Sequence, residues 1–194
     1  MKPFGVAKAR LAPVLDTTTR SRIGVAIAAR TAALVADAAG DVVIVTGDPG
    51  VARWAEALGH DIVDERTAEG HGLDRAARAV AAYATRLGRP WAIVHADLPL
   101  VSLADLTAVF EAGLHHGAVA PSYDGGTNVL AHRGDDIQFA YGPGSFHRHV
   151  SAAPGAAVVV RPGLALDLDT PEDLAHITRL PQGAWLADLL GASR

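Results

Sequence analysis

The chain has 194 residues and no cysteine, which excludes disulfides, thiolate catalysis and Cys-ligated metals. An apolar fraction of 49% and a charged fraction of 20% suit one folded domain, and a net charge of −4 argues against general nucleic-acid binding. The N-terminus has no apolar signal-like core, and the most apolar stretch, 23–40, is broken by Arg30 and Asp37, so it reads as an amphipathic helix and not a membrane span. The expectation is a single cytoplasmic domain over residues 1–194, with no membrane and no nucleic-acid partner.

Taken in order, the chain opens on a loop, Met1 to Pro13, that carries Lys2, Lys8 and Arg10 among Gly and Pro. Such a loop usually follows a buried first strand and surrounds phosphates with N–H groups and cations. Here no apolar strand precedes it. Residues 1–22 hold five basic residues against Asp16 alone, a local +4 on an otherwise acidic body. That asymmetry suits a small anionic ligand; a solvated basic arm fits the composition equally well.

Asp16 or Thr17 caps a helix to about Ala38. Residues 41–46 form a buried strand, Pro49 opens a helix through Leu58, and 60–63 form a short strand. A helix from Gly72 to Leu87 puts Leu73, Ala76, Ala77, Val80 and Ala84 on one face. A strand covers 91–95. Ser102 caps a helix to about Leu114, with Asp105 at the capping-box position. Strands follow near 117–120, 127–132 and 137–140, then a helix near 144–152, a strand at 156–160 and a last helix from Pro171. Repeated βα alternation predicts an α/β fold with a doubly wound, mostly parallel sheet whose ligands bind at the carboxyl ends of strands.

Three sets of residues sit where that rule places chemistry. Asp97, in His-Ala-Asp-Leu-Pro directly after a strand, is placed to hold Mg²⁺, a hard cation that takes oxygen ligands; a plain turn aspartate before Pro99 is the simpler alternative. In Asp167-Leu-Asp-Thr-Pro-Glu-Asp173 the first two aspartates are two apart in an extended segment, so both carboxylates share one face. Thr170 and Asp173 are explained as an N-cap and its partner. Asp167 and Asp169 are not needed for capping and are assigned to metal. The third set is two glycine-rich loops, Gly125-Gly-Thr-Asn128 and Tyr141-Gly-Pro-Gly-Ser-Phe146. Ser145 stands at a helix start, where free N–H groups attract anions. The segment 69–75, Glu-Gly-His-Gly-Leu-Asp-Arg, has glycines before a helix and is a candidate nucleotide contact. The histidines form no metal-ligand or triad spacing. Together the sets describe a phosphoryl-transfer site.

These motifs resemble the 2-phospholactate / phosphoenolpyruvate guanylyltransferase family of deazaflavin coenzyme F-420 biosynthesis along nearly the whole chain. Gly-Pro-Gly-Ser-Phe, spaced as here after Gly-Gly-Thr, is its most specific element; Ala-Asp-Leu-Pro is shared with many nucleotidyltransferases. The resemblance implies a GT-A-like nucleotidyltransferase fold that joins GTP to phosphoenolpyruvate or 2-phospho-L-lactate and releases diphosphate. It implies Mg²⁺ on Asp97 and Asp167, acceptor binding by Thr127, Gly142 and Ser145, and a triphosphate facing Lys2, Lys8 and Arg10. Lys8, Arg10 and Asp97 become the expected catalytic groups, and Gly72 and Asp74 expected nucleotide contacts.

Two departures follow from the resemblance. The family carries a strand ending in a Val-Pro-Val-Lys-Pro-like run ahead of the loop, and Met1 stands where its last valine would be. The expectation is that the native start lies upstream and that the fold lacks its first strand. Asp74 also replaces the family's usual Asn. The alternatives are a nucleotidyltransferase for a sugar phosphate or molybdopterin, a glycosyltransferase with Asp167-Leu-Asp169 as its metal signature, and an inactive truncated homologue.

Overall fold

Side-chain caps open four of the eight α-helices in the computed structural model, which describes residues 1–5, 8–134 and 136–191; residues 6 and 7 of the N-terminal loop fall outside the described residues. Helix α1 (Thr17–Ala39) starts at Asp16, whose carboxylate accepts the Thr19 N–H at 2.7 Å. Helix α2 (Pro49–Ala57) starts at Asp48, which accepts the Val51 N–H at 2.8 Å. Helix α3 spans Gly72–Arg86 and α5 spans Ser145–Ala152. Reciprocal capping boxes open α4 (Leu103–His116) at Ser102/Asp105 and α7 (Pro171–Ile177) at Thr170/Asp173. Two short helices complete the set, α6 (Pro162–Ala165) and α8 (Ala184–Gly191); neither was expected. Among the described residues no helix is long and apolar enough to cross a membrane.

Strands β1 (Val43–Thr46) and β2 (Asp61–Asp64) pair in parallel. Strands β3 (Trp91–Val94), β4 (Ala118–Pro121), β5 (Thr127–His132) and β6 (Ala157–Val158) form a second sheet in the order β3-β5-β4-β6. The α/β alternation is as expected. The departure is β5, which runs antiparallel to both β3 and β4. Its cause is the turn at 122–126: the Asp124 carboxylate takes the Gly126 N–H at 3.0 Å and Gly125 has φ 83°, a tight reversal that returns the chain beside β4.

The expected strand at 137–140 is absent. Ile137 and Phe139 are buried as predicted for it, but the backbone of Ala140 is taken by side chains, its N–H by His149 and its C=O by Arg148, and not by a neighbouring strand.

The β3-β5-β4-β6 sheet is covered on both faces. Leu98, Val101, Leu106, Val109 and Val129 pack on the α4 side, and Trp91, Val119, Leu130 and Phe139 on the α5 side. A third cluster joins Leu11, Ile23 and Ile27 to Leu168, Ile177 and Leu186. Around β1 only Ile44, Val51 and Ala55 form a buried group.

Among the described residues β1 and β3 have no strand between them. A cavity of about 1240 Å³ lies there, lined by Val43 and Val45 of β1, Ile93 and Val94 of β3, Val80 of α3 and Val35 of α1. Protein interiors rarely hold voids larger than a water molecule, so this is the inner part of a cleft; its wall continues to Lys8, Asp97, Asp167 and Asp169. The Met1 amino group sits on the open edge of β1, donating to the Val45 carbonyl, while Thr46 Oγ1 donates to the Met1 carbonyl at 2.9 Å.

Candidate active site

Asp97 leaves the end of β3 in a turn held from two sides. Its carbonyl accepts the Leu168 N–H at 3.1 Å, and Trp185 Nε1 donates to the Pro99 carbonyl at 3.0 Å. The first contact lays the extended segment 166–169 alongside Asp97. Leu168 is fully buried, so period-2 geometry turns Asp167 and Asp169 the other way, into the cleft. Asp169 N–H and Thr170 N–H both donate to Asp173, at 3.0 and 2.7 Å, which locks the segment at the α7 cap.

Asp97, Asp167 and Asp169 each bring a carboxylate oxygen within 4.8 Å of the others. Lys8 Nζ enters the same cluster, 2.8 Å from Asp97 and 3.2 Å from Asp169, with its side chain only 7% exposed. Lys8 is a non-glycine residue at positive φ, 58°; this left-handed backbone costs roughly 1 kcal/mol and points to a functional constraint. Burial works against the Lys8 charge, but Asp97 and then Asp169 outweigh it and hold its pKa above the ordinary value. Burial likewise opposes the Asp97 carboxylate, and Lys8 and His95 overcome it, so Asp97 stays below the usual range. Asp167 has no such partner: burial first, then the charges of Asp97, Asp169 and Asp124, push it up. A buried carboxylate repelled by its neighbours is a group that a divalent cation would relieve, and an all-oxygen donor set fits a hard ion.

The two glycine-rich loops meet each other. Thr127 opens β5 and Ser145 opens α5; both side chains are buried, and Ser145 Oγ lies 3.2 Å from Thr127 Oγ1. Gly142, φ 116°, and Gly144, φ 69°, supply the backbone turn before α5 that residues with a Cβ rarely adopt. The Phe146 N–H donates to the Gly125 carbonyl at 3.2 Å, which ties the two loops together. Arg148 clamps the second loop, donating to the Ala140 carbonyl at 3.1 and 2.9 Å and to the Pro143 carbonyl at 2.8 Å. Beneath them His149, fully buried, has Nδ1 2.9 Å from Thr127 Oγ1 and Nε2 3.1 Å from the Ala140 N.

The remaining expected residues lie around this frame. Arg10 is 76% exposed, with a guanidinium nitrogen 3.9 Å from Asp169, at the rim. Lys2 is exposed at the cavity wall. Gly72, φ 55°, is the first residue of α3. Asp74 accepts the Tyr141 N–H at 2.7 Å, so it braces the 141–146 loop from α3. Arg20 and Arg22 of the basic N-terminal stretch turn elsewhere, to Thr17 and to the Leu189 carbonyl. Sequence reasoning missed Asp124, Arg148 and His149. Asp124 is held below the usual range by the Ser122 hydroxyl first, against partial burial, then by the Gly126 N–H and more weakly by Arg10. Its Asp-Gly-Gly turn context was a readable signal; nothing in sequence marked His149 beyond its place one turn after Ser145.

A family model described as guanylyl transferase CofC like matches residues 1–185. The chain is 31% identical over 191 residues to a phosphoenolpyruvate guanylyltransferase of Mycobacterium leprae, covering 95% of this chain and 88% of that one. It is 34% identical over 203 residues to the protein of that name from Geodermatophilus obscurus, covering 99% and 92%. A solved structure from Desulfovibrio desulfuricans, named a nucleotide-diphospho-sugar transferase, superposes with a TM-score of 0.73 at 18% identity, over 95% of this chain and 89% of that one.

Proposed function

Since the chain belongs to the CofC-like guanylyl transferase family, we propose that it transfers GMP from GTP to the phosphate of phosphoenolpyruvate, with 2-phospho-L-lactate as the alternative acceptor. The observation that carries this reading is the cluster of Asp97, Asp167, Asp169 and Lys8, which shares one cleft wall with the N-terminal loop; the hydrogen-bonded Thr127–Ser145 pair of the two glycine-rich loops supports it. The relatives' names favour phosphoenolpyruvate.

In this reading an oxygen of the acceptor phosphate attacks the α-phosphorus of GTP. A new P–O bond forms, the bond from the α-phosphorus to the α,β-bridging oxygen breaks, and diphosphate leaves with that electron pair. A phosphate monoester has its second pKa near 6, so the nucleophile is largely ionised at neutral pH and needs no general base. What the protein must overcome is repulsion between two polyanions. Mg²⁺, held by Asp97, Asp167 and Asp169, would supply charge neutralisation at the phosphates. Lys8 and Arg10 add positive charge on the same side. Thr127 and Ser145 hold the acceptor by hydrogen bonds, and the turn at Gly142 brings backbone close to it. Bound by these two sets of residues, the reactants would be brought together in line.

The test is diphosphate release from GTP and Mg²⁺ with each acceptor in turn. Release with phosphoenolpyruvate supports the reading, release with 2-phospholactate alone changes the acceptor, and release with neither overturns it.

A further inference from the structure

We propose that His149 is a positioning residue that directs one hydroxyl proton of the Thr127–Ser145 pair outward to the acceptor anion. The inference rests on the acceptor site described above and deepens it.

The Ala140 N–H can only donate, and it meets His149 Nε2 at 3.1 Å, so Nε2 carries no proton. A neutral imidazole has one N–H, which is then on Nδ1, and Nδ1 meets Thr127 Oγ1 at 2.9 Å. Thr127 therefore accepts from His149. The chain His149–Thr127–Ser145 contains two hydrogen bonds, His149 to Thr127 and one between the hydroxyls at 3.2 Å. It contains three protons: the imidazole N–H and two hydroxyl protons. One hydroxyl proton is left over. With Ser145 donating to Thr127, the surplus proton is that of Thr127; with the direction reversed, it is that of Ser145. Either way the buried pair must spend it on an acceptor, and a carboxylate or phosphate oxygen is one.

The other tautomer gives the opposite result. With the proton on Nε2, Thr127 would donate to Nδ1 and Ser145 to Thr127, and both hydroxyl protons would be used internally. The pair would then offer lone pairs, which repel an anion. The Ala140 N–H thus excludes that tautomer, and Arg148 reinforces the choice by holding the Ala140 carbonyl with two N–H groups. His149 stays neutral in this setting: burial first, then the nearby charges of Arg148 and His95, push its pKa down to about 4 against the opposing pull of Asp74. The Tyr141 ring, edge-on with centroids 4.7 Å apart, closes the pocket around the imidazole.

Two measurements test this. Nitrogen-15 NMR of the imidazole in the wild-type protein at pH 7 reads the tautomer directly and does not depend on turnover. An Nδ1–H imidazole for His149 is expected; an Nε2–H imidazole or an imidazolium overturns the inference. A protein with that tautomer and no transfer to either acceptor overturns the proposed function instead. The second measurement is steady-state kinetics of three variants. His149→Phe removes the donor to Thr127, and the phosphoenolpyruvate KM is expected to rise roughly 10- to 50-fold while the GTP KM stays within about twofold. An Asn side chain places an amide N–H where Nδ1–H was, and a Gln side chain places an acceptor near Nε2. Rescue of KM by His149→Asn and not by His149→Gln supports proton direction through Thr127. Rescue by Gln and not by Asn would show that the imidazole only supports Ala140, and would overturn it.

Discussion

The two sheets of this chain are built to different standards. In the β3-β5-β4-β6 sheet Val119, Val129 and Leu130 are fully buried and helices cover both faces. The β1–β2 pair has one edge on the cavity and a buried group of only three residues. The difference follows the division of labour at the site. Asp97 follows β3 and Thr127 opens β5 of the packed sheet, and Ser145 opens α5, which packs on it. The exposed Lys2 reaches the cleft from the N-terminal loop beside the looser β1 edge. Under the proposed function, such an arrangement would fix the acceptor rigidly and leave the nucleotide side free to open, as regions of low local stability commonly do.

Core truncations should break that comparison most visibly. Leu130→Ala, in the middle of the covered sheet, is expected to cost about 3–5 kcal/mol by urea unfolding, while Ile44→Ala, beside the existing cavity, costs about 2 kcal/mol or less because little new void is created. Equal losses at the two sites would show that the cleft closes around β1 in solution. Hydrogen exchange should follow the same line, with β1 and β2 amides exchanging by local opening well before those of β4 and β5.

The carboxylate cluster gives the next largest effect, and it separates function from stability. Asp97→Asn and Asp167→Asn are each expected to lower diphosphate release by about 10²- to 10³-fold. Their stabilities should differ in sign. Asp97→Asn leaves the buried Lys8 without its nearest partner and lowers Tm. Asp167 has a folded pKa raised above its unfolded value, so its ionised form costs stability as pH rises through the folded pKa; at pH 7 Asp167→Asn should raise Tm slightly. Millimolar Mg²⁺ should raise the Tm of the wild type and leave that of Asp167→Asn unchanged. A fall in Tm for Asp167→Asn without metal would show that the carboxylate is a structural partner.

These residues also mark what was legible in the sequence. The period-2 spacing of Asp167 and Asp169 and the post-strand position of Asp97 were local facts, and they led to one cluster. Both capping boxes were readable because Ser102/Asp105 and Thr170/Asp173 act across three residues. The reversed β5 was less readable: the Asp-Gly-Gly turn signals a reversal, but the apolar strands on either side look the same for parallel and antiparallel pairing. The segment at 137–140 had strand-like burial, and what decided against a strand was capture of the Ala140 backbone by side chains nine and eight residues on. His149 depended on that same long-range closure. In the sequence it is one of three residues, His147 to His149, in the turn after Ser145, and only the packed structure puts it under Thr127.

His149 makes the acid response of the packed half specific. Its folded pKa of about 4 lies below the ordinary histidine value near 6.5, so protonation favours the unfolded chain. Stability should be intact above pH 6.5, fall as pH drops through the window from 6.5 to 4, and level off below it, with a loss on the order of 2–3 kcal/mol. Urea unfolding across that window should show the slope in the wild type, and His149→Asn should remove most of it. A wild type with a flat profile between pH 6.5 and 4 would mean that the loops over His149 open without cost.

The smallest effect probes the cavity wall itself. Thr31 of α1 lines the cavity, is 3% exposed, and its hydroxyl has no hydrogen-bond partner among the described residues. Valine has nearly the same shape, and both residues are β-branched, so Thr31→Val leaves helix preference almost unchanged while removing an unsatisfied polar group. If the inner cleft behaves as dry core, the variant should gain up to about 1 kcal/mol, read as a Tm rise of about 2–4 °C. If the hydroxyl instead serves the cleft by meeting bound nucleotide, stability should hold steady and the GTP KM should rise with the phosphoenolpyruvate KM unchanged. The two outcomes place the boundary between core and site on either side of one oxygen atom, because Thr31 is a polar residue on the otherwise apolar α1 wall of the cavity.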